Sequence, residues 1–181
     1  MSKKPDIESI VRSAKSSAGL LQALLFLLLG VGIAAIVVAI ESPNTIEELL
    51  IGKTVYEGAE LSALQLSVLM VLTLSQLLLW GVAVNSTRMS FAQIASDRAA
   101  EAANSAARAA KYLWVGLAWS VLAQMPFSVI ATWHYPVGER ILAVELDWLH
   151  FAMLFVALII GFYSRLIRLG AELWQDHKEI V

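Results

Sequence analysis

Few side chains in this sequence are placed to do chemistry. His150 is the only histidine inside a long apolar run, and Asp147 precedes it by about one helical turn. A carboxylate beside an imidazole is the minimum of a proton relay or a metal site, with His134 and Glu145 as the nearest further ligands. The same pair also reads as an interfacial histidine with a carboxylate neighbour. A bis-histidine haem site needs two histidines at matched depth, and the second is missing. There is no helical His-x-x-x-His, no Gly-rich phosphate loop and no nucleophile elbow. With no cysteine, disulfides and thiolate chemistry are excluded. Neither a catalytic constellation nor a cofactor is expected.

A second set of polar residues sits within apolar runs. Ser62, Gln65, Thr73 and Gln76 fall within an arc of roughly 80° at 100° per residue. Gly116, Ser120, Gln124, Ser128 and Thr132 recur at every fourth position. Rows of small and polar residues let helices approach closely and hydrogen-bond across the contact. Counted from the centres of their runs, Gln76 and Ser120 share a depth about 3–5 Å to one side, with Thr73 and Gln124 near the middle. The second and third runs are therefore expected to pack along these rows. A polar path for a substrate is the alternative, although amides and hydroxyls without a charge make a poor relay. On the last run His150, Ala157, Gly161, Ser164 and Arg168 share one face, which should point inward.

The elements that carry these residues are long and apolar. Of 181 residues 59% are hydrophobic and 15% charged, and the mean hydropathy is +0.71. Soluble domains carry fewer apolar and more charged residues, and a chain this size has too little interior to hide the excess. Spans are expected at roughly 20–40, 61–84, 112–132 and 147–167. Each is about 20 residues or more, near 30 Å at 1.5 Å per residue, the thickness of a hydrocarbon core. The fold class is therefore an all-α integral membrane protein in one domain with four transmembrane helices. The first apolar run is too long for a signal peptide and lacks a small-x-small cleavage site, so it reads as an uncleaved anchor.

Between the spans, patterning gives shorter elements. Pro5, Asp6 and Glu8 suit a helix start, and Ile7, Ile10, Val11 and Ala14 form one apolar stripe, which predicts a short amphipathic helix at the interface. Thr45 and Glu48 have capping-box spacing before a helix over 46–51 ended by Gly52. Residues 53–57 and 141–144 suit paired short strands. Ser90 and Gln93 suggest another capping box, and the alanine-rich stretch 99–110 a helix feeding into the third span. Pro126 should kink that span. In the tail, Arg168 and Glu172 have pairing distance, and Leu169, Leu173 and Trp174 are candidates for contact with a partner or the interface.

Eleven lysines and arginines lie in the N-terminal segment, the second loop and the tail, against two, Lys53 and Arg140, in the first and third loops. The positive-inside rule then puts both termini and the alanine-rich loop in the cytoplasm. That gives an N-in/C-in protein with a cytoplasmic amphipathic helix and cytoplasmic helical extensions. The net charge of −2 gives no hint of nucleic-acid binding.

The tail from Arg165 through Arg168, Gly170, Glu172, Leu173 and Trp174 to the final Ile180-Val181 resembles the closing segment of a bacterial four-span family, domain of unknown function 2975. Phe91-Ala-Gln-Ile94, Asn104 and Arg108, and Gly138-Glu-Arg-Ile-Leu142 are similar to that family's second and third loops, in the same order. The family has no established activity. Its members are often encoded beside small helix-turn-helix regulators, so the resemblance implies a regulatory or sensory partner in the bacterial inner membrane.

Three functional expectations follow. One is a non-enzymatic, multi-pass inner-membrane protein, an accessory or regulatory subunit that contacts another membrane or cytoplasmic protein, or a second copy of itself. Another is a small subunit of a transporter or channel. The third is a membrane enzyme or metal site at Asp147 and His150.

Overall fold

The computed structural model describes residues 7–51, 61–133, 135–140 and 142–179. The elements are α1 (Ile7–Glu41), α2 (Pro43–Ile51), α3 (Ala63–Ile94), α4 (Ala99–Leu122), α5 (Gln124–Ala131) and α6 (Trp148–Glu179). Among the described residues there is no strand. The pairing expected at 53–57 and 141–144 fails for the part described, since 142–144 are irregular and engage α5 instead: the Ala143 N–H donates to Ser128 Oγ at 3.2 Å. Residues 53–57 and Ile141 lie outside the described residues, as do Pro5, Asp6, Gly52 and His134.

Four helical segments are long and apolar enough to cross a membrane: Glu8–Glu41, Ala63–Ile94, Ala99–Ala131 and Trp148–Leu173. Their outer surfaces carry large apolar side chains, among them Phe26, Ile33, Val71, Phe151 and Phe155, all more than half exposed. Their mutual contacts are made by small ones. Ala102, Ala103, Ala106, Ala109, Ala131 and Ala157 are buried almost completely, and among the described residues Leu69 is the one larger aliphatic enclosed to the same degree, below 2 % exposure. A water-soluble protein inverts this distribution; helices in lipid gain little from hiding leucine and much from close backbone approach.

Several boundaries differ from the sequence reading, each for a local reason. The N-terminal amphipathic stretch is not a separate helix. Nothing between Ser13 and Leu20 breaks the backbone except Gly19, so α1 runs unbroken from Ile7 into the first apolar run. The helix α2 begins at Pro43, whose missing N–H is harmless in a first turn, and Thr45 lies inside it rather than capping it. Its Ile46 packs against Leu66 and Met70 of α3, and Glu47 accepts a hydrogen bond from the Leu61 N–H at 2.9 Å.

Ser90 and Gln93 do not start a helix. They lie in the last turns of α3, which ends beyond them in a Schellman closure. Asp97 takes the left-handed conformation (φ 57°), its N–H donates to Ile94 O, and the Arg98 N–H donates to Gln93 O. The freed side chains join α3 to α4. Ser90 Oγ donates to Ala102 O at 2.9 Å in a buried contact, and the Gln93 amide reaches Ser105 Oγ at 2.7 Å. At the other end of α4, Pro126 has no N–H to offer Leu122, and the helix is interrupted at Ala123 before α5 continues it. The spanning helices pack as α1 on α3, α3 on α4 and α4 on α6. Helices α1 and α6 share no extensive contact, so a groove opens between them over α3 and α4.

Candidate functional site

The groove starts where the third loop meets α6. Asp147 stands just before Trp148, and its Oδ1 accepts the N–H groups of Leu149 (3.0 Å) and His150 (3.2 Å), two donors with no partner inside the helix. The same oxygen lies 2.6 Å from His150 Nδ1. With the ring proton on Nδ1, Nε2 is left as an acceptor, and it faces the Gln124 amide nitrogen at 3.4 Å. Gln124 is held in turn by the loop. Its Oε1 accepts from the Glu145 N–H, and its Nε2 donates to Glu145 O at 3.0 Å and Ser120 O at 3.2 Å. The carboxylate, imidazole and amide thus stand side by side at the mouth of the groove.

Deeper in, the groove widens into a cavity of about 450 Å³ lined by α1, α3, the α4–α5 break and α6. Val31, Gly32, Ala35, Leu77 and Phe127 form apolar walls; Thr73, Gln76, Trp80, Ser120, Gln124 and His150 supply the polar side chains. Most of these are already engaged. Thr73 Oγ1 donates to Leu69 O at 3.0 Å and Ser120 Oγ to Leu117 O at 2.8 Å, both along their own helices. Gln76 and Trp80 are not. Neither amide atom of Gln76 nor the indole Nε1 of Trp80 has a hydrogen-bond partner, and all three atoms are buried. An unpaired buried polar group costs about 1–3 kcal/mol.

A second cavity of about 340 Å³ continues the groove toward the other end of the spans. It shares Trp80, Leu149 and Met153 with the first, and is otherwise lined by Leu21, Ala83, Leu113, Ala152, Val156 and Ile160 among others, with Thr87 the one hydroxyl.

The structure distributes the residues singled out by sequence over several tasks. Gln76 lies against Gly116, where an added Cβ would meet Gln76 Nε2 at 3.7 Å, and with Ser120 these residues occupy the α3–α4 contact. Ser62 and Gln65 instead form a capping box at the start of α3, and Gln65 Nε2 reaches Ile130 O at 2.9 Å. No described hydrogen bond joins Thr73 to Gln124; the bond that crosses between α3 and α4 here runs from Trp119 Nε1 to Ser75 Oγ, 2.8 Å, and neither residue stood out by spacing. On α6, Ala157 and Ser164 are buried, His150 and Gly161 are half-buried, and Gly161 faces Ala110. Arg168 is exposed rather than inward: the long side chain leaves the small-residue contact one turn after Ser164, and no described ion pair joins it to Glu172. Leu169 and Leu173 are exposed, and the Trp174 side chain lies outside the described part.

Sequence reasoning also missed a link between α1 and α3. Arg88 donates to Gln22 Oε1 at 2.6 Å and to Asn85 Oδ1 at 3.2 Å. Among the described residues no cluster of three or more histidines and carboxylates is arranged to hold a metal ion. Compared with protein-family models, with curated proteins and with solved structures, the chain matches none.

Proposed function

We infer that the chain is a non-enzymatic, multi-pass protein of the bacterial inner membrane, with both termini in the cytoplasm, acting as an accessory or regulatory subunit through protein–protein contacts. The observation that carries this reading is the joined extension at one end of the bundle. The last turns of α3, the first turns of α4 and the C-terminal half of α6 run past the length a bilayer needs. A helix of 32 residues, the length of both α3 and α6, is roughly 48 Å long against a hydrocarbon core of about 30 Å.

The extension is packed side chain against side chain. Ala102, Ala103, Ala106 and Ala109 are buried at the α3–α4 hairpin, Phe91 meets Tyr163 of α6 with ring centroids 6.2 Å apart, and Ser164 is buried beside them. It ends in a helix that keeps Leu169 and Leu173 exposed beyond the apolar run. A packed platform with an apolar tip fits a subunit that docks on another protein or on a second copy of itself. The excess of lysine and arginine on this side supports a cytoplasmic placement, and the resemblance to domain of unknown function 2975 is consistent with a regulatory partner.

The test is deletion of the tail after Arg168, with co-purification from native membranes as the readout. Loss of the co-purifying protein with the four spans still inserted supports the reading; full retention of every partner by the truncated chain contradicts it. The transporter and enzyme alternatives draw less support. The groove is walled by apolar side chains, and its one carboxylate–imidazole pair lies at the mouth with no third ligand among the described residues.

A further inference from the structure

We propose that the groove between α1 and α6 is a binding site for a neutral bilayer-soluble amphiphile, a molecule with a carbonyl head and a hydrocarbon tail. The inference is independent of the partner reading above, because it rests on the groove within the spans and not on the hairpin or the exposed tail.

Three observations meet here. The first is the set of orphaned polar atoms. Gln76 and Trp80 stand one helical turn apart on α3, both line the cavity, and neither has a hydrogen-bond partner for its polar atoms. Buried polar groups in folded proteins are nearly always paired, so an unpaired donor pair in a cavity marks a place where something else supplies the acceptor. The amide and the indole each offer an N–H, and a single carbonyl oxygen has two lone pairs to receive them.

The second observation is the division of the groove into two chambers. The one holding Gln76, Ser120, Gln124 and His150 carries the polar groups. The other, reached past Trp80, Leu149 and Met153, is apolar but for Thr87. A head and a tail fit this order, and a small hydrophilic solute does not. The volumes, about 450 and 340 Å³, lie within the range of small-molecule pockets.

The third is access and charge. The open side lies between two helices whose flanks are covered with exposed Phe, Leu, Ile and Val, so the groove is entered from lipid rather than from water. No lysine or arginine lines either chamber, and the one histidine is occupied by Asp147. An anionic head would find no counter-charge, which selects a neutral one.

Two sources share this chemistry, a prenyl-type quinone and the ester carbonyl of an uncharged glycerolipid such as a diacylglycerol. The experiment uses the full chain reconstituted in phosphatidylcholine vesicles and a short-chain alkyl benzoquinone as probe, with tryptophan quenching as the readout. Wild-type protein should show a saturable component above linear partition. Gln76→Leu, which removes the amide and keeps the bulk, should weaken that component by about tenfold or more. Ala152→Phe, which fills the tail chamber without touching a polar atom, should do the same, and Val137→Ala in the exposed third loop should leave it unchanged. Thermal unfolding shows in each case that the variant is folded. If diacylglycerol displaces the probe, the occupant is a glycerolipid ester; if it does not, the occupant is a quinone, and organic extracts of wild-type protein from native membranes should contain a quinone that Gln76→Leu protein lacks. Either result supports the site. Quenching strictly proportional to added probe and identical in wild type and Gln76→Leu, with no amphiphile retained by either, overturns it.

Discussion

Gln124 and Glu145 pair as two backbone amides do: the side-chain oxygen of Gln124 accepts the Glu145 N–H, and its nitrogen donates to the Glu145 carbonyl at 3.0 Å. A side chain from the kinked third span thereby stands in for a neighbouring strand and fixes the loop that leads into α6. The kink makes this reach available. Pro126 interrupts the helix at Ala123, and Gln124 is the first residue of the segment that follows.

Gln124→Leu therefore removes both bonds while keeping the volume. The expected loss is about 1 kcal/mol, since the exposed backbone of Glu145 regains water in place of the amide. Thermal unfolding in detergent should show a lower Tm, and His150, deprived of its amide neighbour, should show a changed ring environment by NMR.

Asp147 is expected to matter as a cap before it matters as a base. Asp147→Ala should lower the Tm and raise hydrogen exchange at the Leu149 and His150 amides, whereas Asp147→Asn, which still accepts from both, should change much less. Equal exchange in the two variants would show that the cap is not what Asp147 contributes.

The sign reverses at Gln76. In protein stripped of lipid, Gln76→Leu removes a buried amide with no partner, and stability should rise by about 1–2 kcal/mol. A fall in Tm of similar size would mean that the amide is paired in the working protein without any ligand.

How far the sequence reveals this fold is clearest from two identical patterns. Ser62-Ala-Leu-Gln65 and Ser90-Phe-Ala-Gln93 both have capping-box spacing. The first is one, at the head of α3; the second sits in the final turns of the same helix and bonds to α4 instead. A cap depends on the chain not being helical before it, and four residues do not encode that. The apolar cores of the spans were legible because transfer into lipid depends on composition alone. Their ends were not, since α3 and α6 continue past their apolar runs, α3 as far as the Schellman closure at Asp97. The Gln124–Glu145, Trp119–Ser75 and Arg88–Gln22 links join distant positions and leave no mark in local spacing.

That closure supplies a further test. Asp97 holds a left-handed conformation that glycine adopts freely, and Asp97→Gly should stabilise the α3–α4 hairpin by about 1 kcal/mol. Unchanged or lower stability would place the constraint on the Asp97 side chain rather than its backbone.

The partner reading stands on the hairpin facing the cytoplasm. The chain has no native cysteine, so single replacements report cleanly on sidedness. Ser96→Cys lies in the turn between α3 and α4, and Val137→Cys in the third loop, both exposed. Intact cells are treated with a membrane-impermeant maleimide. The expected result is labelling of Val137→Cys and protection of Ser96→Cys until the membrane is permeabilised; labelling of Ser96→Cys in intact cells with Val137→Cys protected would place the hairpin outside and contradict the account.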